Sequence, residues 1–513
     1  GTRVQEDPAL IQKRIEIIFS FSNLCTDFIS SLLANVMQQE AFWRPSTASC
    51  SQFRVSTTNF ITLNVEKNNE IIRELRASKR LFEDPEFPAD DTSLTYAHKK
   101  LNYKWLRPKE LDADPEFVKD GFSRFDINQG ELENCWILAA VAAITQRPDL
   151  LSQVILPDQT LSGAGYCGAF RFRFRPFGRE VEIMVDDRLP TKDGQLVYAA
   201  AHEGEYWVCL LEKALAKLHG CYESLIGGLE LEAMADLTGG VCELIPFKRE
   251  DGAKVLENIK YCLSKKLSAG AATHTEILGE NLESLGLTSG HEYIVTGTVQ
   301  IPHNGKLVDL IRICNPWGPL SEFEWRGKWN DNDPRWTPEQ MKLAGLVKQD
   351  DGENWMELSD FMKFFEFLTV LHLARNLDNG VTGAEWNGKY IYGEWYPGQK
   401  IDEFFEDNTF LTNFCDGSNQ DGVATVVISL EEPGQRNIPL EKRRFSVKAV
   451  DIYKGANCLR RPVYQVAQHP EDNQRSVVFR VSLPPGDYTV VPQTESPLNG
   501  KRLEFLLRIY TES

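Results

Sequence analysis

Asn134-Cys135-Trp136-Ile137-Leu138-Ala139-Ala140-Val141-Ala142-Ala143-Ile144 is the stretch on which the fold turns. From Cys135 onward it is apolar on every face and too long for a strand, which predicts a helix buried all round. Asn134 is a good N-cap residue and sets Cys135 at the first helical position. The unpaired N–H groups and positive dipole end there favour a thiolate, the nucleophilic form of cysteine. A buried structural cysteine is the plain alternative, so partners elsewhere in the chain must decide.

At roughly 100 to 200 residues per domain, 513 residues argue for about three domains. With 42% hydrophobic and 25% charged residues the composition is that of a soluble globular protein, not of a disordered, collagenous or disulfide-scaffold chain. Fifty-six basic against 74 acidic side chains leave a net charge of −18, which repels the phosphate backbone and argues against nucleic acid as a partner. The same surplus agrees with a cation partner or with a plain solvated acidic surface. Eleven scattered cysteines, no CxxC pair and no N-x-S/T acceptor point to a reducing cytosol, hence a cytoplasmic location. The stretch from Ile15 to Val36 carries Glu16, Asp27 and many polar residues and lacks the apolar run of a signal or membrane segment. The chain begins at Gly1 without an initiator Met, so a trimmed or engineered start is open.

Residues 1–80 form an N-terminal extension with no chemistry to name. From Leu81 a Pro-punctuated acidic linker, Phe82 to Asp91, leads into a first lobe, 81–228, closed by Gly227-Gly228. Within it Tyr206 to Leu218 has helical spacing, with Lys213 and Lys217 on another face. Residues 229–373 read as a second lobe with short strands, Glu292 to Val299 and Leu307 to Cys314. Residues 374–513 alternate in short segments (Ala424 to Leu430, Ser446 to Tyr453, Ser476 to Leu483, Tyr488 to Val491, Leu503 to Tyr510) between Gly and Pro turns, the pattern of an antiparallel β-sandwich. The fold class is therefore α+β, a two-lobed core followed by a sandwich.

His291 opens one of the second-lobe strands and Asn315 closes the next, with the Asn304-Gly305 hairpin signal between them. The midpoint of 291 and 315 is 303, so pairing about that point would make the imidazole and the carboxamide cross-strand neighbours. Asn315 would then orient His291 toward a thiol, a Cys-His-Asn arrangement. Trp317, in Asn315-Pro316-Trp317-Gly318, is placed to shield that hydrogen bond or simply to pack. Gln129, six residues before Cys135, offers an amide N–H to an oxyanion. Gly163-Ala164-Gly165-Tyr166-Cys167-Gly168 fits a dinucleotide fingerprint, but Phe170 to Phe174 then alternates like a strand, which removes that reading. The acidic run Asp402, Glu403, Glu406, Asp407 has three readings: a solvated face, a calcium site, or a partner for Lys442-Arg443-Arg444.

Taken together, these residues resemble the calpains, papain-like calcium-dependent cysteine proteases. The motifs are FEDPEFPA from Phe82, Gln129-Gly130 leading to Cys135-Trp136, LLEKALAK from Leu210, Thr238-Gly239-Gly240-Val241, Gly290-His291 with Tyr293, Asn315-Pro316-Trp317-Gly318 and the terminal FLLRIY. The resemblance implies a two-lobed papain-like protease core with Cys135 on the first lobe and His291 and Asn315 on the second, then a calpain-type β-sandwich. It also implies calcium as the cofactor that realigns the lobes. The implied ligands are Asp126 and Glu205 with the carbonyls of Lys119 and Gly121 on the first lobe. On the second they are Glu324, Asp331, Asp351 and Glu353 with the carbonyl of Gln349. No EF-hand loop is present, so such sites are of another kind.

The departures are specific. Glu133 stands where the family usually has Gly and would narrow or acidify the cleft wall; Asn134 replaces a usual Asp. A longer loop after Gly318 makes Glu322 a competitor of Glu324. The sequence stops before a penta-EF-hand domain, so a small regulatory subunit is not among the expected partners, which are protein substrates and a protein or membrane contact through the sandwich. The expected function is limited proteolysis by a calcium-activated intracellular cysteine endopeptidase. The alternatives are a catalytically impaired calpain-fold scaffold and a Cys-His acyltransferase of transglutaminase type, which would more usually carry Asp in place of Asn315.

Overall fold

The computed structural model describes residues 65–512 apart from 120, 124–125, 146, 201–202, 248–250, 265–268, 275–280, 316–323, 350–351, 375–385, 396–409, 415–421, 440–441, 444, 456–461, 468–473 and 495–501. Trp317, Glu322, Asp351, Arg444 and the acidic run at 402–407 therefore lie outside the described residues.

The predicted buried helix is Cys135–Thr145, in which every residue from Trp136 to Ile144 is buried. Four small alanines let neighbours approach closely, and Pro148 opens the next helix, Pro148–Val154. Residues 65–78 are helical, and Ile72 packs with Phe82, Cys167 and Met184. The strand Ala169–Phe174 pairs antiparallel with Val181–Asp186 and buries Phe170, Phe172 and Phe174 on one face. The glycine pattern before it thus leads into a strand, as its alternation requires, and Gly163 and Gly168 serve turns at φ +71° and +70°.

Helix Trp207–His219 lies where the spacing places it, but Lys213 is not on a solvated face. Its Nζ is fully buried and donates to Asp186 Oδ1 at 2.7 Å and to the Arg188 carbonyl at 2.6 Å. Helical spacing cannot distinguish water from a buried carboxylate 27 residues away.

A six-stranded antiparallel sheet forms the second lobe, in the order Glu353–Glu357, Lys306–Cys314, Glu292–His303, Ala269–Thr273, Phe365–His372, Val241–Pro246. The hairpin between Glu292–His303 and Lys306–Cys314 turns on Asn304 (φ 49°) and Gly305 (φ 74°), a tight two-residue turn with both residues left-handed. Its register corrects the expected one. His303 pairs with Lys306, the turn is centred between 304 and 305, and a bulge at Thr296 shifts the pairing to Ile294 with Cys314. His291 and Asn315 are thus not directly opposed. Beyond the bulge Asn315 stands level with Tyr293, and it reaches His291 diagonally across the same face, because residues two apart share a face.

The C-terminal residues form two four-stranded antiparallel sheets. One runs Trp386–Trp395, Leu503–Glu512, Ala424–Glu431, Ser476–Leu483, and the other Phe410–Phe414, Gly486–Thr494, Val447–Lys454, Tyr464–Ala467. Both contribute to one apolar core, with Val426, Ile428, Val450, Ile452, Val490 and Leu507 buried. This is the expected sandwich, with three strands the sequence reading passed over. Trp386–Trp395 in particular is half-polar on its outer positions and includes Gly388 and Gly393, so its pattern is weak.

The sandwich meets the core through charge. Arg475 donates to Asp236 at 2.8 and 3.2 Å and lies 3.4 Å from Glu431. Arg508 pairs with Glu431 and donates to the carbonyls of Gly239 and Gly240 at 3.2 and 2.9 Å. Arg436 pairs with Glu232, donates to the Gly227 carbonyl at 3.0 Å and lies 3.8 Å above the Trp136 ring. Arg443, from the basic run, donates to Tyr96 Oη at 3.1 Å and is buried rather than solvated.

Candidate active site

Cys135 is half-buried at the first position of its helix. Asn134 occupies the N-cap position, its carbonyl accepting from the N–H groups of Ile137 and Leu138 at 2.9 and 3.2 Å. Its carboxamide, expected to cap, instead donates to Glu212 Oε1 at 2.6 Å, and Glu212 Oε2 also accepts from the Ala199 N–H at 3.0 Å. The charge-assisted bond to the buried carboxylate fixes the amide so that its Oδ1 accepts from no N–H of the helix end. Trp136 Nε1 donates to the Leu225 carbonyl at 2.8 Å, fixing the indole beside the thiol-bearing turn.

His291 Nε2 lies 3.0 Å from Asn315 Oδ1, with both residues buried. An amide oxygen only accepts, so Nε2 carries the proton and Nδ1 of the neutral ring keeps a lone pair. The residue is held from three sides. Its N–H donates to Thr273 Oγ1 at 2.9 Å, its carbonyl accepts from the Thr273 N–H at 3.0 Å, and Tyr293 packs edge-on at 5.1 Å. The Asn315 N–H donates to the Gly352 carbonyl at 2.9 Å.

Electrostatics run against the expected thiolate. Burial, and then the Glu292 carboxylate, push the Cys135 thiol above its ordinary value, with Glu133 adding to them. The backbone N–H groups of Trp136 and Cys135 act in the predicted direction but are outweighed. Burial pulls His291 down to about 4, against the hydrogen bond to Asn315. In this arrangement the proton stays on sulfur and the imidazole is neutral. Gln129 is half-buried, and its Nε2 donates to the Leu132 carbonyl at 2.7 Å, a carbonyl three residues before Cys135.

The first-lobe carboxylates expected to bind calcium share one loop framework. Glu205 accepts from the Lys119 N–H, while Asp126 Oδ2 accepts from the Ser123 N–H at 2.8 Å and from Trp207 Nε1 at 3.2 Å. The Glu116 N–H donates to the Gly204 carbonyl at 3.0 Å and Gly121 turns at φ +98°, so Lys119, Gly121, Asp126 and Glu205 belong to one pair of adjoining loops. Two carboxylates with loop carbonyls are the donor set of a hard cation. On the second lobe Glu324 accepts from the Gly352 N–H at 2.8 Å and from Asn354 Nδ2, which places it beside the start of the strand Glu353–Glu357. Glu353 faces Arg312 at 3.7 Å, and Asp331 is buried in the tryptophan-rich loop before Trp336. Among the described residues no three His, Cys, Asp or Glu side chains gather as a metal site of side chains alone.

The sequence profile described as calpain family cysteine protease matches residues 82–372, more than half of the chain. The chain belongs to the calpain family. A second profile, calpain large subunit domain III, matches residues 389–510, which are the sandwich. The chain is 35% identical to Calpain-A of Drosophila melanogaster over 497 residues, 88% of this chain and 58% of that protein. It is 34% identical to the Calpain-2 catalytic subunit of Mus musculus over 484 residues, 84% of this chain and 66% of that protein. The chain thus spans about 58 to 66% of the length of these calpains.

Three acidic residues of this calpain chain escaped the sequence reading. Glu212, inside the LLEKALAK motif, is buried on an apolar helix and pushed up to about 7 by that burial. A single acid on a helix face otherwise apolar was the available signal. Glu230 and Glu292 are also buried, and Glu292 adjoins His291 in sequence, but no spacing rule pairs two residues 62 positions apart. Among the described residues no helix is long and apolar enough to cross a membrane.

Proposed function

We propose that this chain is a calcium-activated intracellular cysteine endopeptidase performing limited proteolysis of protein substrates. The observation that carries the reading is the buried His291–Asn315 hydrogen bond at 3.0 Å in a calpain-family chain whose Cys135 opens an apolar helix. Cys135 Sγ attacks the scissile carbonyl carbon while its proton passes to His291 Nδ1 and then to the leaving amine. Water next cleaves the thioester and returns the thiol. The Cys135 N–H and the Gln129 carboxamide donate to the oxyanion. Asn315 positions the ring. Asn315→Ala is expected to lower kcat by roughly 10- to 100-fold with little change in KM, a part of what positioned proton transfer supplies. Stopped assays of the two constants check it, and an equal rise in KM with kcat intact would remove the positioning role.

Calcium, when bound, supplies charge that draws loops together and no chemistry at the scissile bond. Asp126 and Glu205 with the carbonyls of Lys119 and Gly121 would hold one ion, and Glu324, Asp331, Asp351 and Glu353 with the Gln349 carbonyl another. The reading is supported by the adjoining first-lobe loops that gather Asp126, Glu205, Lys119 and Gly121, the donor set of a hard cation. Casein cleavage under reducing conditions across a calcium titration tests it. Asp126→Ala is expected to move half-activation to calcium at least about tenfold higher, as lost metal-site groups commonly do. Cleavage without calcium would keep the protease and discard the metal sites, and an unchanged activation curve would remove Asp126. The cytoplasmic location is supported by the described cysteines, which are thiols; Cys314, for instance, donates Sγ–H to the Asn315 carbonyl at 3.7 Å. Protein or membrane contact through the sandwich completes the reading.

A further inference from the structure

The carboxyl groups of Glu230 and Glu292 have no part in the chemistry above, yet they lie against it. Glu292 directly follows His291, and its charge reaches the Cys135 thiol. Glu230 starts the helix Glu230–Thr238, just after Gly227, whose N–H donates to the Glu133 carbonyl at 3.0 Å. The two carboxyl groups act on each other electrostatically and are nearly inaccessible, at 1% and 6% exposure. Among the described residues no N–H or hydroxyl donor reaches either oxygen of Glu230 or Oε1 of Glu292. Space for Glu230 is left by Gly270, where a Cβ would lie 1.5 Å from Glu230 Oε2.

Several other buried acids of this chain are met by cations, and Glu212 by the Asn134 amide and the Ala199 N–H. Asp236 has Arg475, Glu232 has Arg436, Asp186 has Lys213, and Glu243 has His372 and Arg480. Among the described residues the pair beside Cys135 has no such cation: neither oxygen of Glu230 nor Oε1 of Glu292 has a hydrogen-bond partner. A buried carboxylate without a cation is costly. A third acid, the exposed Glu133, stands two residues before Cys135 and also acts on the thiol.

We infer that the missing cation belongs to the substrate: Glu230 and Glu292 form the floor of a subsite that takes a lysine or arginine side chain close to the scissile bond, with Glu133 at its rim. The inference rests on the protease reading and adds the substrate class to it. An entering ammonium or guanidinium gains two carboxylate acceptors inside a low-dielectric site, and a neutral side chain of the same length leaves both unsatisfied.

The full chain, in excess calcium and reductant, is assayed against a peptide library varied at each position around the cleaved bond, and then against a substrate pair differing only in lysine or norleucine at the selected position. The parent is expected to favour the basic member by about 30-fold or more in kcat/KM, the scale of a lost buried charge partner. E230Q/E292Q is expected to abolish or invert that ratio. Both substrates meet the same thiol in the same enzyme, so the ratio is insensitive to any change in Cys135 reactivity. An active parent with no basic preference at any position, or a folded variant with the parent's ratio, overturns the subsite and leaves the protease standing. No cleavage of any peptide overturns the protease reading and the subsite with it. If the double variant does not fold, the parent's library profile and E292A decide.

Discussion

Cys135→Ala is expected to abolish peptide-bond cleavage, lowering kcat by about 10⁴-fold or more, the scale seen when a covalent nucleophile is removed. In the proposed mechanism the methyl group leaves no atom to form the thioester, while the His291–Asn315 pair remains. Folding should be preserved. Cys135 is half-buried at a helix start, and its removal leaves no charge unpaired and opens no sizeable cavity. The check is cleavage of an unfolded protein substrate by both chains at matched calcium, with thermal unfolding measured beside it. Undiminished cleavage by the variant would sink the assignment of the nucleophile, and a lowered unfolding temperature would show that the thiol also packs.

Arg475→Ala is expected to destabilise the chain by about 3 to 5 kcal/mol, the usual result of removing one partner of a buried ion pair. Burial by itself would raise the Asp236 carboxyl, but Arg475, with His219, outweighs it and holds Asp236 below the ordinary carboxylate range. Without the guanidinium, Asp236 and Glu431 are left buried with too little positive charge. The loss should appear as a lower denaturant midpoint, and because the arginine joins the sandwich to the Glu230–Thr238 helix, as earlier separation of the two parts. Asp236→Leu/Arg475→Met should recover much of it, since it removes both charges. A loss below about 1 kcal/mol for Arg475→Ala would place this pair among weak, hydrated ones.

Much of the architecture was legible because it rests on local pattern. The apolar run from Trp136 to Ile144 could only be a buried helix, and the alternation of Phe170, Phe172 and Phe174 only a strand. The sandwich strands were found where alternation was strong and missed where glycines diluted it, as in Trp386–Trp395. The candidate site was legible in part. The juxtaposition of His291 and Asn315 followed from a hairpin signal at Asn304-Gly305, although the geometry that achieves it does not, since the turn is centred later and the Thr296 bulge resets the register. A bulge leaves no mark on the apolar pattern that predicts a strand.

By itself the sequence determined the helix that bears Cys135, the order of two lobes and a sandwich, and the residue types available for thiol chemistry. These follow from hydrophobic period and turn chemistry, which act over a few residues. Only the tertiary structure decided the charges. Lys213 is buried against Asp186, Asn134 turns to Glu212, Arg475 reaches Asp236 across 239 residues, and Glu230 meets Glu292 near Cys135. A carboxylate's cost or benefit depends on how far water is excluded and on which cation stands within a few ångströms. Those are properties of contacts between distant segments, and no reading of neighbours along the chain contains them.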